Sequence, residues 1–264
     1  MNGRKIKALR FRKKLTLHCV NPKIHTMNLE YIDCSGQWPI SRGHLKTLKA
    51  FEKYPNLKRL NCSFNAIESL DGLFKCSKLK MLNVSRNNIS LEQIKLLKCL
   101  KELLCIGCGL YQLPICLNNL TTIDCSDNSI TSLECLSEFK ELKFLNCSKN
   151  KLNRLCIPRR LEYLICNHNQ IEELELEEDC KLKILHIAYN DTLFEIPDKL
   201  GNLNLSLLDI TCCCLYELPK ALSKLDKNLF FYAYGNFFPS NYPTTWKKLR
   251  KFLSLNATKH VPNV

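Results

Sequence analysis

Seventeen cysteines in a chain of 264 residues are the first groups that could do chemistry. Cys105-Ile-Gly-Cys108 has the spacing of a zinc-ligand pair, and Cys212-Cys-Cys214 adds three consecutive thiols. His168 and His186, with Asp124 and Asp127, are the side chains that could serve acid–base work. Each chemistry demands convergence. A structural zinc ion needs four ligands at one point, and catalysis needs a nucleophile, a base and an orienting group within reach of one another. Local spacing supplies neither, so the question passes to the elements that position these residues.

Those elements repeat. The unit is an apolar residue (position 0), further apolar residues at positions 3 and 5, and a small polar residue, usually asparagine, at position 8. Leu57-Lys-Arg-Leu60-Asn-Cys62-Ser-Phe-Asn65 and Leu142-Lys-Phe-Leu145-Asn-Cys147-Ser-Lys-Asn150 are clear copies. Starts fall at 29, 57, 79, 100, 120, 142, 161, 182, 205, 229 and 249, and eight of the ten separations lie between 19 and 23 residues. Side chains on a strand alternate with period two, so positions 3 and 5 share the inward side of a short strand. One such unit cannot bury its apolar face alone; the folding unit is the stack.

In this spacing the chain resembles the leucine-rich repeat family. The resemblance implies an α/β solenoid: a parallel sheet on a concave face, mostly short extended or helical convex segments, and asparagines Asn65, Asn87, Asn128, Asn150, Asn169 and Asn190 turned inward on backbone groups of adjacent coils. Cys108 and Cys213 stand in the asparagine column and supply a poorer hydrogen-bonding group. Leu113-Pro114, Ile157-Pro158, Ile196-Pro197 and Leu218-Pro219 favour extended return segments. Leu91 to Leu100, and Ser41 to Tyr54, read as helical. Residues 29–240 form the array of nine to ten units, 1–28 a basic N-terminal cap with the Trp38-Pro39 insertion, and 241–264 a C-terminal cap whose Lys247 to Leu253 reads as a short basic helix.

The register assigns the cysteines. Cys34, Cys62, Cys105, Cys125, Cys147 and Cys166 all occupy position 5, where a free thiol serves as a small buried hydrophobe. Cys76, Cys99, Cys135 and Cys180 precede the next start and also suit a core. The two zinc-like groups fall about five coils apart, beyond one ion's reach. No metal or other cofactor is expected, and the odd thiol count fits a reduced, intracellular setting.

Positions 2, 4 and 7 are left to face outward from the sheet. Phe144, Tyr163, His168, His186 and Tyr189 form the leading candidate for partner binding, with Arg59, Phe64 and Arg86 as a second patch, because aromatic and arginine side chains dominate protein interfaces. The competing reading is ordinary cross-strand packing of aromatics. Glu172 to Asp179 carries an acidic run that reads either as a solvated margin or as an attractor of basic partners.

The net charge of +14 sits at the ends: residues 1–28 carry eight basic and no acidic side chains, residues 227–264 six and none, and the stretch between is formally neutral. Basic ends leave open contact with nucleic acid or an anionic surface, while the neutral centre argues against it. No window reaches the roughly 18 apolar residues of a membrane span, and Phe11-Arg-Lys-Lys14 is charged where a signal peptide is apolar. Lysine, asparagine and cysteine richness also resembles repeat proteins of giant DNA viruses and intracellular bacteria. The expectation is therefore a monomeric, non-catalytic protein-interaction module in the cytoplasm, or the host cytoplasm for such an origin, with no enzymatic constellation.

Overall fold

A computed structural model describes residues 8–10, 29–36, 45–114, 118–243 and 245–255. Most of the proposed N-terminal cap, the Trp38-Pro39 insertion and Lys259 lie outside the described residues. The chain forms two compact units, Met1–Ser129 with Glu138–Leu142, and Ile130–Ser137 with Lys143–Val264.

In the first unit the strands are β1 (Ala8–Arg10), β2 (Tyr31–Asp33), β3 (Arg59–Asn61), β4 (Met81–Asn83), β5 (Glu102–Leu104) and β6 (Thr122–Asp124). They pair in parallel and in chain order. The second unit carries β7 (Phe144–Asn146), β8 (Arg154–Ile157), β9 (Tyr163–Ile165), β10 (Glu173–Leu176), β11 (Ile184–His186), β12 (Leu207–Asp209) and β13 (Phe230–Tyr232). There β7, β9, β11, β12 and β13 pair in parallel in that order, while β8 and β10 form a separate two-stranded parallel ladder. The architecture is a repeat solenoid with a parallel sheet and short helical or extended return segments.

From β2 to β12 each main-sheet strand covers positions 2 to 4, so the inward residues fall where the spacing requires. Leu142, Leu145 and Cys147 are fully buried, as are Leu57, Leu60 and Cys62. Each fully buried leucine stabilises the stack by about 2 kcal/mol relative to an exposed one, which is how coils this short hold together.

The last copies depart from the sequence reading. β13 pairs Leu208 with Phe231, so this coil starts at residue 228 rather than at Leu229. Phe231 therefore turns inward instead of outward, and Ala233 takes position 5. A one-residue slip reverses every side chain on a strand, and the leucine at 229 misleads because an apolar residue stands one place late. The weak copy at Leu249 is not a coil: Trp246–Leu255 forms α-helix α1, with Trp246, Leu249 and Leu253 buried on one face. Trp246 packs on Phe231 with ring centroids 4.9 Å apart, and its indole N–H donates to the Asp226 carbonyl at 2.9 Å.

The return segments are shorter than the sequence suggests. Leu91 to Leu100 narrows to a 3-10 turn at Glu92–Leu96, and within Ser41 to Tyr54 the described helix is Lys49–Lys53. Pro197 and Pro219 hold extended backbone and lead into 3-10 turns at Asp198–Asn202 and Lys220–Lys224. Proline fits at the first turn, where its missing N–H is not needed. Cys99 is exposed, and Cys135 and Cys180 are half-buried, so of the four thiols before a start only Cys76 is fully in the core. The fifteen described cysteines are all free thiols.

Candidate functional site

The corner after each strand decides which side chains remain free. In six coils the residue at position 4 is Asp or Asn, and its Oδ1 accepts the N–H at position 6: Asp33 from Ser35, Asn61 from Ser63, Asn83 from Ser85, Asp124 from Ser126, Asn146 from Ser148 and Asp209 from Thr211, at 3.0 to 3.2 Å. These turns engage the amides and carboxylates that the sequence reading placed on the binding face. Position 7 then takes the left-handed conformation in nine coils, at Phe64, Arg86, Gly107, Asp127, Lys149, His168, Tyr189, Cys212 and Gly235, with φ between 51° and 71°. Seven of these are not glycine, and each non-glycine residue there costs on the order of 1 kcal/mol. The cost is met because the same residue's N–H continues the ladder, as in Phe64 to the Ser85 carbonyl at 2.9 Å and Tyr189 to the Thr211 carbonyl at 2.8 Å.

Position 8 closes the corner. Asn190 Nδ2 donates to the carbonyls of Cys166, Ile187 and Ala188, and its Oδ1 accepts the Ile171 N–H at 3.2 Å. Asn65, Asn87, Asn128 and Asn169 do the same in their own coils. Asn236, unrecognised in the sequence because of the register slip, joins the column through the Ile210 and Ala233 carbonyls. The Cys108 thiol donates to the Val84 carbonyl at 3.3 Å and the Cys213 thiol to that of Ile187 at 3.4 Å, but neither has an amide oxygen to take the facing N–H.

The cysteine column also does more than fill space. The thiols of Cys34 and Cys62 donate to the carbonyls of Asn61 and Asn83 at 3.4 Å, the same carbonyls that accept their backbone N–H. Burial pushes the Cys34 thiol up to about 12, with the Asp33 carboxylate adding to the effect, and holds Cys62 and Cys105 well above the ordinary value. These are protonated, inert packing groups rather than nucleophiles. Among the described residues no group of three or more His, Cys, Asp or Glu side chains could hold a metal ion.

What stays available is position 2 and the corner residue. In the second unit position 2 reads Phe144, Tyr163, Ile184, Leu207 and Phe230 on successive paired strands. Tyr163 is 37% and Phe230 64% exposed, with the three others half-buried, and Tyr232 at 45% stands two residues beyond Phe230. Five strands at about 4.8 Å spacing make a continuous apolar stripe about 19 Å long. In the register counted from Leu229, Phe230 and Tyr232 fall at inward positions and read as part of an aromatic cap on the last coil, not as binding residues. The period-two alternation of Phe230, Tyr232 and Tyr234 could have revealed them.

The remaining candidates fall around this stripe or away from it. His168 and Tyr189 stack at 4.4 Å with rings 6° apart, on adjacent corners. His186 lies half-buried with Nδ1 3.3 Å from Asp209 Oδ2. Along the other margin Glu162 sits between Lys183 at 2.6 Å and Lys143 at 3.5 Å, and the hydrogen bond from Lys183 holds the Glu162 carboxyl below its ordinary range. Arg59, Phe64 and Arg86 belong to the first unit. Arg59 is exposed on β3, Phe64 is half-buried, and Arg86 reaches over Gly107 to pair with Asp127.

The repeat geometry agrees with known proteins. Residues 55–99 match the family described as "Leucine Rich repeats (2 copies)". The fold is that of a leucine-rich repeat protein. An internalin from Listeria monocytogenes superposes with a TM-score of 0.64 at 17% identity, covering 84% of this chain and 66% of that one. A leucine-rich repeat protein of Leptospira interrogans gives 0.68 at 22%, covering 80% and 56%. Osteomodulin from Rattus norvegicus is 29% identical over 210 residues, 73% of this chain and 47% of its own length. The chain spans between 21% and 47% of the length of such curated relatives. Among the described residues no helix is long and apolar enough to cross a membrane.

Proposed function

We propose that this chain is a non-catalytic module that binds a protein partner on the exposed face of the second unit's sheet. The observation that carries the reading is the uninterrupted apolar row Phe144, Tyr163, Ile184, Leu207 and Phe230, flanked by the stacked His168 and Tyr189. A solvated sheet face alternates or mixes polar side chains; a paired apolar row of this length signals an interface. Aromatic anchors on rigid strands lose little entropy on binding, which makes Phe144 and Tyr163 the expected dominant contributors. His186, held beside Asp209, and Tyr189 border the row, and Arg59, Phe64 and Arg86 form a separate, more polar patch on the first unit. The buried, protonated thiols suit a reduced cytoplasm, which is the setting proposed, in a host cell if the protein acts there.

The test is affinity capture from a candidate host lysate followed by mass spectrometry. Partners retained by the natural chain should be lost from Phe144→Ala/Tyr163→Ala while its circular dichroism and melting profile are kept. Undiminished capture of the same partners would overturn this face.

A further inference from the structure

On the return side of the second unit, β8 and β10 interrupt the run of 3-10 turns. β10 pairs with β8 on one side, with Glu173 N–H reaching the Asn153 carbonyl at 3.4 Å and Glu177 N–H the Ile157 carbonyl at 3.0 Å. In a parallel ladder alternate residues face the partner, so Asn153, Leu155 and Ile157 are spent on β10. Arg154 and Cys156 turn their N–H and C=O groups the other way. On that side the neighbouring coil is the 3-10 turn Glu134–Glu138, not a strand. The two coils are still joined where Lys151 N–H donates to the Ile130 carbonyl at 2.9 Å, and they part beyond it. The result is a cavity of about 250 Å³ lined by Leu133, Glu134, Leu136, Arg154, Cys156 and Glu175, among others.

The walls are charged in one sense. Glu134, Glu173, Glu175 and Glu177 line the cavity against a single cation, Arg154, which is already engaged by Glu173 at 2.8 Å and Glu175 at 3.2 Å. Leu133, Leu136 and Leu155 supply the apolar part of the lining. Thus a strand edge with unspent backbone groups, a cleft beside it and an excess of carboxylates occur in one place.

We propose that this cleft takes an extended basic peptide segment of a partner protein, added as a third strand to the outer edge of β8. Its backbone pairs with the N–H and C=O groups of Arg154 and Cys156, and alternate lysine or arginine side chains meet Glu134, Glu175 and Glu177. Strand addition explains why the edge is left open, and the carboxylates select the basic sequence. The site is separate from the sheet face proposed above and does not depend on it.

The experiment uses the full chain and a fluorescein-labelled octapeptide of alternating valine and lysine, read by fluorescence anisotropy at about 50 mM salt, where charge contacts are least screened. The natural chain should bind it, and Glu175→Gln/Glu177→Gln should weaken binding. Cys156→Pro removes only an outward N–H, a change an edge strand tolerates, and should weaken binding about tenfold, the effect of one lost hydrogen bond. An octapeptide N-methylated on the residues that face β8 should lose binding to the natural chain by a similar factor, which tests the edge without any variant. Absence of binding overturns the proposal. So does binding that neither Cys156→Pro nor N-methylation alters, or that spermidine reproduces with the same affinity, since carboxylates alone would then account for it.

Discussion

Position 2 of the first unit reads Tyr31, Arg59, Met81, Glu102 and Thr122; in the second it reads Phe144, Tyr163, Ile184, Leu207 and Phe230. The strands beneath are alike in both, with inward leucines and left-handed corners in each. The charges differ as well. Residues 45–129 hold 12 basic and 7 acidic side chains, and residues 130–226 hold 12 and 16. The neutral centre of the sequence is thus a basic stretch followed by an acidic one. Because inward positions are fixed by packing, the two units could diverge only where nothing in the fold constrains them, so the divergence is where function is to be sought.

The largest expected effect separates the units by their thiols. In the first unit burial raises Cys34 to about 12 and Cys76 and Cys108 to about 11, and lifts Cys62 and Cys105 well above the ordinary 9.0. In the second unit burial raises Cys213 to about 12, and the less deeply buried Cys135, Cys156 and Cys180 are also raised above the ordinary value. A raised thiol keeps its full stabilising contribution below the unfolded value near 9 and loses it as pH climbs toward the folded value. Each such thiol costs on the order of 1 kcal/mol at pH 10, so several together cost several kcal/mol, a large share of the stability of a domain. Methyl NMR from pH 7 to 10.5 should show Leu60 and Leu82 reaching unfolded positions before Leu208 and Leu222. Simultaneous loss in both units below pH 9 would break the comparison.

The asparagine column should behave alike in both units. Asn190→Ala strands three carbonyls and one N–H and should cost about 3 kcal/mol in urea unfolding, and Asn65→Ala about the same. Cys213→Asn should move the other way by about 1 kcal/mol, because it restores the missing acceptor. No gain would mean that the facing N–H already has a partner of equal worth.

How much of this was legible follows from what each position must satisfy. Leu60, Cys62 and Asn65 announce themselves because burial tolerates few alternatives, and their spacing places β3 to the residue. The corner at position 7 was less visible, since Phe64, Lys149 and Tyr189 have no intrinsic liking for a left-handed backbone; Gly107 and Gly235, and more weakly Asp127 and His168, hint at it. Asn61 and Asp124 look like exposed polar residues in a list of letters and act as turn builders once Ser63 and Ser126 are seen above them. β8 and β10 were hidden because Arg154 to Ile157 and Glu173 to Leu176 break no spacing rule. They replace one return geometry with another of similar length.

Binding should separate the units next. Phe144→Ala/Tyr163→Ala is expected to weaken partner affinity about a hundredfold, within the 2 to 4 kcal/mol of a lost aromatic anchor pair, whereas Arg59→Ala/Met81→Ala should change it less than threefold. Calorimetry with a captured partner reads both. Equal losses would place the partner on both units and dissolve the functional contrast drawn from position 2.

The last contrast concerns the glycine corner of each unit. A Cβ on Gly107 would stand 2.6 Å from the Arg86 guanidinium, and the residue holds φ at 59°. Gly107→Ala should therefore cost about 2 kcal/mol, roughly half from the left-handed backbone and half from driving Arg86 off its path to Asp127. The two parts can be separated in an Arg86→Ala background, where only the backbone part should remain, near 1 kcal/mol. Gly235→Ala offers the counterpart in the second unit, where the obstacle is the Cys212 Sγ at 2.7 Å, a side chain with far less freedom to move aside than an arginine. Shortening Cys212 to alanine should remove the steric part of its cost and leave the backbone part, near 1 kcal/mol. If Arg86→Ala leaves the cost of Gly107→Ala unchanged, the glycine serves the backbone alone, and the arginine bridge is an incidental contact rather than the reason for the residue.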